Sequence, residues 1–492
     1  MTLTRFQSRP SAAPEGAPRL HVVTFGCQMN KYDSLLVEGC FKGRGYGTTG
    51  DPSAADVVLI NTCSVREHAE ERAWSWLGEL QRARQARPEL VIGVMGCMAQ
   101  RVGDEVFRRA GHVDVVCGTR QLQHMADLVE EVRARRRDPD AWRARDRRIC
   151  ATGTDEDVVV DRAGTEYAGG RHAWLAVMRG CDLGCTFCIV PATRGRVQSR
   201  PLGDILAEAR WLVDQGAQVV TLLGQTVNSY GEDLPAPAAG RPRQSGRRGR
   251  PGLADVLRAL QEVEGLERVR LVTLHPAYLT RALAEALRDC DKVERFLPLP
   301  AQAGSDRVLK AMRRGYTLDL YRERVAMLRE LVPDVELGSD WIVGFPGESE
   351  QDFLGSLAFL EEVGFVVNYV FKYDPRPGTP AAERLRDDVP LALKKERNAR
   401  LLAKAEEVAL RRTSRWVGRT LAVFVEEGAR HDGGPLRGRS RHGLPVSVHG
   451  DESLCGREVP VIVRQASAYG MSGEHAAEGA TVWSTAISAP RA

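Results

Sequence analysis

Short apolar runs that stop at a cysteine recur along the first third of the chain. "LHVVTFGCQMN", "DVVLINTCSVRE" and "LVIGVMGCMAQR" each read as a buried strand, ending at Cys27, Cys63 and Cys97. Helical spacing fills residues 30–42 and 68–86 between them, so the cysteines recur once per strand–helix unit. A further strand, "VDVVCG", precedes a helical stretch over 120–136. Parallel strands joined by right-handed crossovers end on one edge of their sheet. Three thiols distant in sequence can therefore converge in space, on a Rossmann-like open parallel sheet.

From about residue 172 to 379 strand and helix again alternate. Strands are predicted over 173–179, 219–224, 268–274, 295–300, 337–344 and 366–373, with helices over 204–215, 280–290, 320–331 and 350–363. Six such units are two short of a closed eight-fold barrel and predict a partial (β/α)6 TIM-type barrel. Residues 394–418 form one long amphipathic pattern. Beyond them short alternating runs with Gly turns and no helical period predict a small all-β barrel. The expected fold class is α/β with an all-β C-terminal barrel, divided into a floppy tail 1–18, an N-terminal domain 19–137, a linker 138–171, a central domain 172–412 and a barrel 413–486.

Composition adds the setting. The chain has 492 residues, 43% hydrophobic and 27% charged, which suits a multidomain globular protein. No apolar run is long enough to span a bilayer, and residues 1–20 lack the apolar core of a secretory signal. The expected compartment is the cytoplasm, where disulfides rarely persist. Eleven cysteines there read as metal ligands or plain buried thiols. Cys40, Cys117, Cys150, Cys290 and Cys455 show no pairing pattern and read as ordinary thiols. Net charge is only +4, but arginines crowd residues 133–148 and 241–250 and the group Arg411, Arg412, Arg415 and Arg419. Each run is either solvated surface or a contact for a polyanion.

The densest chemistry is "GCDLGCTFCIVP", with Cys181, Cys185 and Cys188 spaced C-x3-C-x2-C. It follows the predicted strand 173–179, where α/β folds place their sites. Gly180 and Gly184 allow a tight path. Zinc in a structural site takes four protein ligands, and no Cys or His follows nearby. An iron–sulfur cube normally takes four thiolates; three leave one iron open, as a catalytic centre needs. The convergence of Cys27, Cys63 and Cys97 argues for a second such cluster, against the alternative of small core residues.

The phrase "CTFCIVPATRGRVQSRP" resembles the radical S-adenosylmethionine enzymes, in their methylthiotransferase branch. The resemblance runs from about residue 21 to 470. It implies that Cys181, Cys185 and Cys188 hold a 4Fe-4S cluster whose open iron binds S-adenosylmethionine for reductive cleavage to a 5′-deoxyadenosyl radical. It implies an auxiliary 4Fe-4S cluster on Cys27, Cys63 and Cys97, where the sulfur to be transferred attaches. Polar residues at the strand ends, Gly224, Gln225, Asn228, His275, Gln302, Ser305 and Asp340, would then border S-adenosylmethionine or substrate, the alternative being helix caps. The C-terminal strands resemble the RNA-binding TRAM domain, with Arg437, Arg439 and Arg441 facing phosphate.

"GCQMN", "NTCSVRE", "GCMAQR" and "GQTVNSYG" are most similar to the branch that modifies prenylated (dimethylallyl) adenosine beside the anticodon of tRNA. Other branches act on threonylcarbamoyl adenosine or on a ribosomal-protein aspartate. Ala192, Thr226, Pro298 and Ala303 depart from the family's usual residues and bear on the shape of the nucleoside pocket. Partners implied are the tRNA anticodon stem-loop, a reductant such as flavodoxin or ferredoxin, and a sulfur or iron–sulfur delivery system, with the protein a monomer. Competing readings are an iron–sulfur RNA-binding sensor and a zinc-dependent RNA-binding module.

Overall fold

In the computed structural model the strands Arg19–Thr24, Val57–Thr62, Val91–Gly96 and Val115–Cys117 lie side by side and parallel. The structure describes residues 6–7, 10, 16–64, 67–137, 147–153, 170–237, 243–431, 433–476 and 482. The chain forms two units. The first holds residues 1–168, 179–182 and 188–200, and the second holds 169–178, 183–187 and 201–492. Most of the expected tail and linker, and the end of the last expected domain, lie outside the described residues.

In the first unit, Val57–Thr62 and Val91–Gly96 are buried along their whole length. Helices cover both faces of such a sheet, which is why its strands are runs of Val, Ile and Leu with no polar alternation. The helix Gln28–Lys42 begins directly after Cys27, two residues earlier than its apolar pattern predicts. The stretch over 120–136 forms a 3-10 turn, Leu122–His124, and then the helix Met125–Arg137. Three short strands extend the sheet: Phe6–Gln7, antiparallel, and Gly47–Thr48 and Ile149–Ala151, both parallel. Two or three residues are too few for a pattern to announce them, and Ile149–Ala151 falls within the expected linker.

In the second unit, six parallel strands follow in chain order: His172–Ala176, Val219–Leu223, Arg268–Leu271, Phe296–Pro298, Glu336–Val343 and Val367–Lys372. They form two three-stranded sheets joined by a parallel bridge from Val269 to Val293. This is the six-stranded partial barrel that the alternation predicts. The run over 173–179 is interrupted, with a second short strand at Met178–Arg179. The helix Leu391–Ser414 is tied to the last barrel strand, where Asn398 Nδ2 donates to the Val370 carbonyl at 3.0 Å. Five strands then close into a barrel: Thr420–Glu427, Leu436–Ser440, Pro445–His449, Glu458–Ser467 and Gly470–His475. Its core is Val423, Val425, Val446, Val448, Val461 and Val463 with Trp416. No helix among the described residues is long and apolar enough to cross a membrane.

Two arginines of the group 411–419, read as either solvated surface or a contact for a polyanion, have another role. Arg412 and Arg415 donate to the Glu336 carboxylate at 2.8 and 2.5 Å. Glu336 is fully buried, and a buried carboxylate needs cations around it.

Candidate metal centres

In the first unit Cys27, Cys63 and Cys97 leave the C-terminal ends of three neighbouring strands, as the repeat predicts. Cys27 immediately precedes the helix Gln28–Lys42, and Cys97 opens the helix Cys97–Val102. The loops of Cys27 and Cys63 touch: a Cβ on Gly26 would stand 2.5 Å from Cys63 Cβ, and Gly26 has φ +131°. Only glycine fits there.

A buried amide network holds these loops. Asn30 Nδ2 donates to the Thr62 carbonyl at 2.8 Å and to Asn61 Oδ1 at 3.1 Å. Asn61 Nδ2 donates to the Asn30 carbonyl at 2.8 Å and to Ser34 Oγ at 2.9 Å. Cys27 Sγ lies 3.3 Å from Asn30 Oδ1. Arg194, from the short helix Val190–Arg194, reaches the same place. Its Nη2 donates to Asp33 Oδ2 at 2.7 Å and to Asn30 Oδ1 at 3.1 Å. Burial pushes the Cys97 thiol up, and the Arg194 charge opposes that shift. A buried cation beside thiols favours their thiolate form, the form that binds metal.

Cys181, Cys185 and Cys188 lie on one loop after Met178–Arg179. Cys181 and Cys188 belong to the first unit and Cys185 to the second. Gly180 has φ +72°, and a Cβ there would stand 1.8 Å from the Arg196 carbonyl oxygen. The Cys181 amide donates to the Gly195 carbonyl at 3.0 Å. In the second unit Thr186 is pinned twice, its amide to the Met312 carbonyl and its hydroxyl to the Ala311 carbonyl, each at 3.0 Å. Arg314 Nη1 donates to Cys185 Sγ at 3.2 Å.

Among the described residues no three His, Cys, Asp or Glu side chains are grouped to hold one metal ion. A cube binds its thiolates on separate irons, so its ligands stand further apart than those of a single ion. All-thiol donor sets backed by buried arginines fit such clusters.

The remaining predicted site residues sit in the second unit. Gly224 ends its strand against Met178, whose Cγ a Cβ would approach to 2.6 Å. Gln225 Oε1 is buried without a hydrogen-bond partner among the described residues, as suits a group kept for a ligand. His275 is gripped through its backbone by Asn228, amide and carbonyl each bonded at 2.9 Å. Burial, then the nearby Arg314 charge, pulls the His275 ring down to about 3, so it stays neutral. Gln302 has φ +67°, and its amide donates to the Asp340 carbonyl at 2.9 Å. Asp340 lies partly buried on the neighbouring strand Glu336–Val343. Ser305 instead bonds Asp352 Oδ1 at 2.5 Å.

On the terminal barrel Arg437 and Arg439 share one face of Leu436–Ser440, opposite buried Leu436, Gly438 and Ser440. Each predicted phosphate contact has a carboxylate near it. Arg437 pairs with Glu427, Arg439 stands 3.9 Å from Glu426, and Arg441 lies 3.6 Å from both Asp291 and Glu458.

Sequence reasoning missed Arg194, Arg314, Asp33 and the Asn30–Asn61 pair. Arg194 stands inside the phrase that carries the resemblance, yet nothing local separates it from the chain's other arginines.

Residues 19–118 match the Uncharacterized protein family UPF0004, and residues 175–360 match the Radical SAM superfamily. A tRNA-2-methylthio-N(6)-dimethylallyladenosine synthase of Syntrophotalea carbinolica is 40% identical over 446 residues, which is 90% of this chain and 96% of that protein. The chain belongs to this synthase family. A synthase of the same name from Xanthomonas axonopodis pv. citri is 38% identical over 467 residues, 95% of this chain and 93% of that protein. In fold alone, the chain is similar to the radical S-adenosylmethionine methyltransferase TsrM from Kitasatospora setae. That likeness has a TM-score of 0.52 at 13% identity and covers 74% of this chain and 77% of TsrM. Within the synthase family frame, the UPF0004 match contains Cys27, Cys63 and Cys97, and the Radical SAM match contains Cys181, Cys185 and Cys188.

Proposed function

We propose that this chain methylthiolates C2 of N6-dimethylallyladenosine next to the anticodon of tRNA, using two S-adenosylmethionine molecules and two 4Fe-4S clusters. The observation that carries this reading is the pair of three-cysteine sets at strand ends, in a chain 40% identical over 446 residues to a synthase of that name. When bound, the clusters supply one-electron cleavage of S-adenosylmethionine at Cys181, Cys185 and Cys188 and a sulfur-holding site at Cys27, Cys63 and Cys97.

The protein's own residues supply position and insulation. Asn30, Asn61 and Arg194 fix the loops that carry Cys27, Cys63 and Cys97. Gln225 offers its free carbonyl oxygen, and Gly224, Gln302 and Asp340 shape the ends of their own strands, for the polar groups of S-adenosylmethionine. Neutral His275 contributes a hydrogen-bonding ring with no charge. An aromatic C–H has no useful acidity, so a general base on the protein has no part in breaking it. Arg437, Arg439 and Arg441 would exchange carboxylate neighbours for RNA phosphates, as salt-dependent backbone contacts do.

The setting that suits this reading is cytoplasmic: a monomer served by a flavodoxin- or ferredoxin-type reductant and a sulfur or iron–sulfur donor. Anaerobic reconstitution, iron and sulfide counts, and mass spectrometry of tRNA nucleosides test it. The expected product is the 2-methylthio derivative of dimethylallyl adenosine. Product only on threonylcarbamoyl adenosine or on a ribosomal protein would move the chain to another branch, and zinc without iron would end the reading.

A further inference from the structure

Four arginines are almost wholly buried: Arg194, Arg268, Arg314 and Arg397. Three of them meet a carboxylate, from Asp33, Glu458 and Glu348 in turn. Among the described residues no carboxylate pairs with Arg314. Its side-chain hydrogen bonds go to Cys185 Sγ, at 3.2 Å, and Tyr316 Oη, 3.5 Å from its Nε, and its guanidinium carbon lies 5.5 Å from the Tyr316 ring centre. A guanidinium does not shed its proton in proteins, and a buried charge without a counter-charge is strongly destabilising. The fold also accepts strain at this point. Arg313, directly before it, has φ +54°, which a non-glycine residue rarely adopts. The two hydrogen bonds of Thr186 to residues 311 and 312 then hold Cys185 against this turn.

We propose that Arg314 provides the counter-charge for the cluster held through Cys185 and so raises that cluster's midpoint potential. The inference rests on the reading that Cys181, Cys185 and Cys188 hold a 4Fe-4S cluster. Three thiolates leave the oxidised cluster net negative, and one electron from an external low-potential reductant makes it more so. No bond breaks and no proton moves. A fixed cation hydrogen-bonded to a ligand sulfur stabilises the more negative state. Arg314 acts through Cys185 and is a positioning residue.

The test uses the full chain with Cys27, Cys63 and Cys97 changed to alanine, so that one cluster titrates. Parent, Arg314→Lys, Arg314→Gln and Arg314→Met are titrated with dithionite and mediators and read by electron paramagnetic resonance. The same shift is read on one of two signals in the unsubstituted protein. Lys should stay near the parent. Gln and Met should lower the reduced-to-oxidised ratio at a fixed potential about tenfold, a shift of about 59 mV for one electron. Iron lost from Gln and Met but kept by Lys would also support the charge role. Gln and Met at the parent's potential, Lys as low as either, or iron lost from all three alike would overturn it. A parent with no cluster would refute the reading of the cysteines instead.

Discussion

Arg194 donates to Asp33 at 2.7 Å, and both side chains are buried, Asp33 completely. Arg194 lies six residues after Cys188 in the chain, while Asp33 lies six residues after Cys27. One ion pair therefore links the segment that leaves one cysteine set to the helix that leaves the other.

Breaking that pair from either side strips a buried charge of its hydrogen-bonded partner, and among the described residues Asp33 keeps only Arg179, 3.7 Å away. Arg194→Gln or Asp33→Asn should each destabilise the first unit by about 3–5 kcal/mol, and the double variant by clearly less than their sum. Urea unfolding of the four proteins checks this. Additive losses would mean that the pair carries no coupling.

Gly180 and Gly184 separate space from conformation. Both have positive φ, but a Cβ on Gly180 would strike the Arg196 carbonyl, while one on Gly184 meets nothing within 4 Å. Gly180→Ala should lose the cluster of its loop. Gly184→Ala pays only backbone strain, about 1–2 kcal/mol, and should keep it. Iron counts and the ultraviolet–visible spectrum read both.

The two cysteine sets should fail differently. Cys63→Ala should still form 5′-deoxyadenosine from S-adenosylmethionine but yield no methylthiolated tRNA. Cys181→Ala should abolish both. Parallel product assays check it, and loss of 5′-deoxyadenosine in Cys63→Ala would contradict the division of roles.

His275 makes stability depend on pH. Its ring titrates near 3 in the folded protein against about 6.5 unfolded. Below about 6.5 the unfolded chain takes a proton that the folded one refuses. The His275 contribution is therefore full above that pH and declines toward about pH 3, by at most about 1.4 kcal/mol per pH unit. Relative to the parent, His275→Asn should show a flatter loss of stability between pH 6.5 and 5. Parallel slopes there would place the ring in water.

Arg439 tests the RNA surface. If it meets phosphate, Arg439→Ala should weaken tRNA binding evenly across sequences and reduce the salt slope by about one. Binding isotherms at several salt concentrations measure it. An unchanged slope would leave Arg439 to Glu426 and to the Gly443 carbonyl, which it bonds at 2.8 Å.

Most strands and helices were legible because burial on both faces writes long apolar runs, as at Val57–Thr62. The cysteines were legible because their spacing matches one strand–helix unit, or one loop. Ile149–Ala151 was not, since three half-buried residues carry no period. Nor were the partners of Arg412 and Arg415. A surface cluster and a cluster around buried Glu336 look alike until the sheet brings residue 336 beneath them.

The sequence by itself determined the element order, the three architectures and the six thiols, because each follows from local periodicity or spacing. Only the tertiary structure decided which arginines stand against those thiols and which of them find a carboxylate. A charge's partner is set by what folding brings within a few ångströms of it, and chain distance does not record that. Arg194 found Asp33 from 161 residues away, and Arg314 found a cysteine from 129.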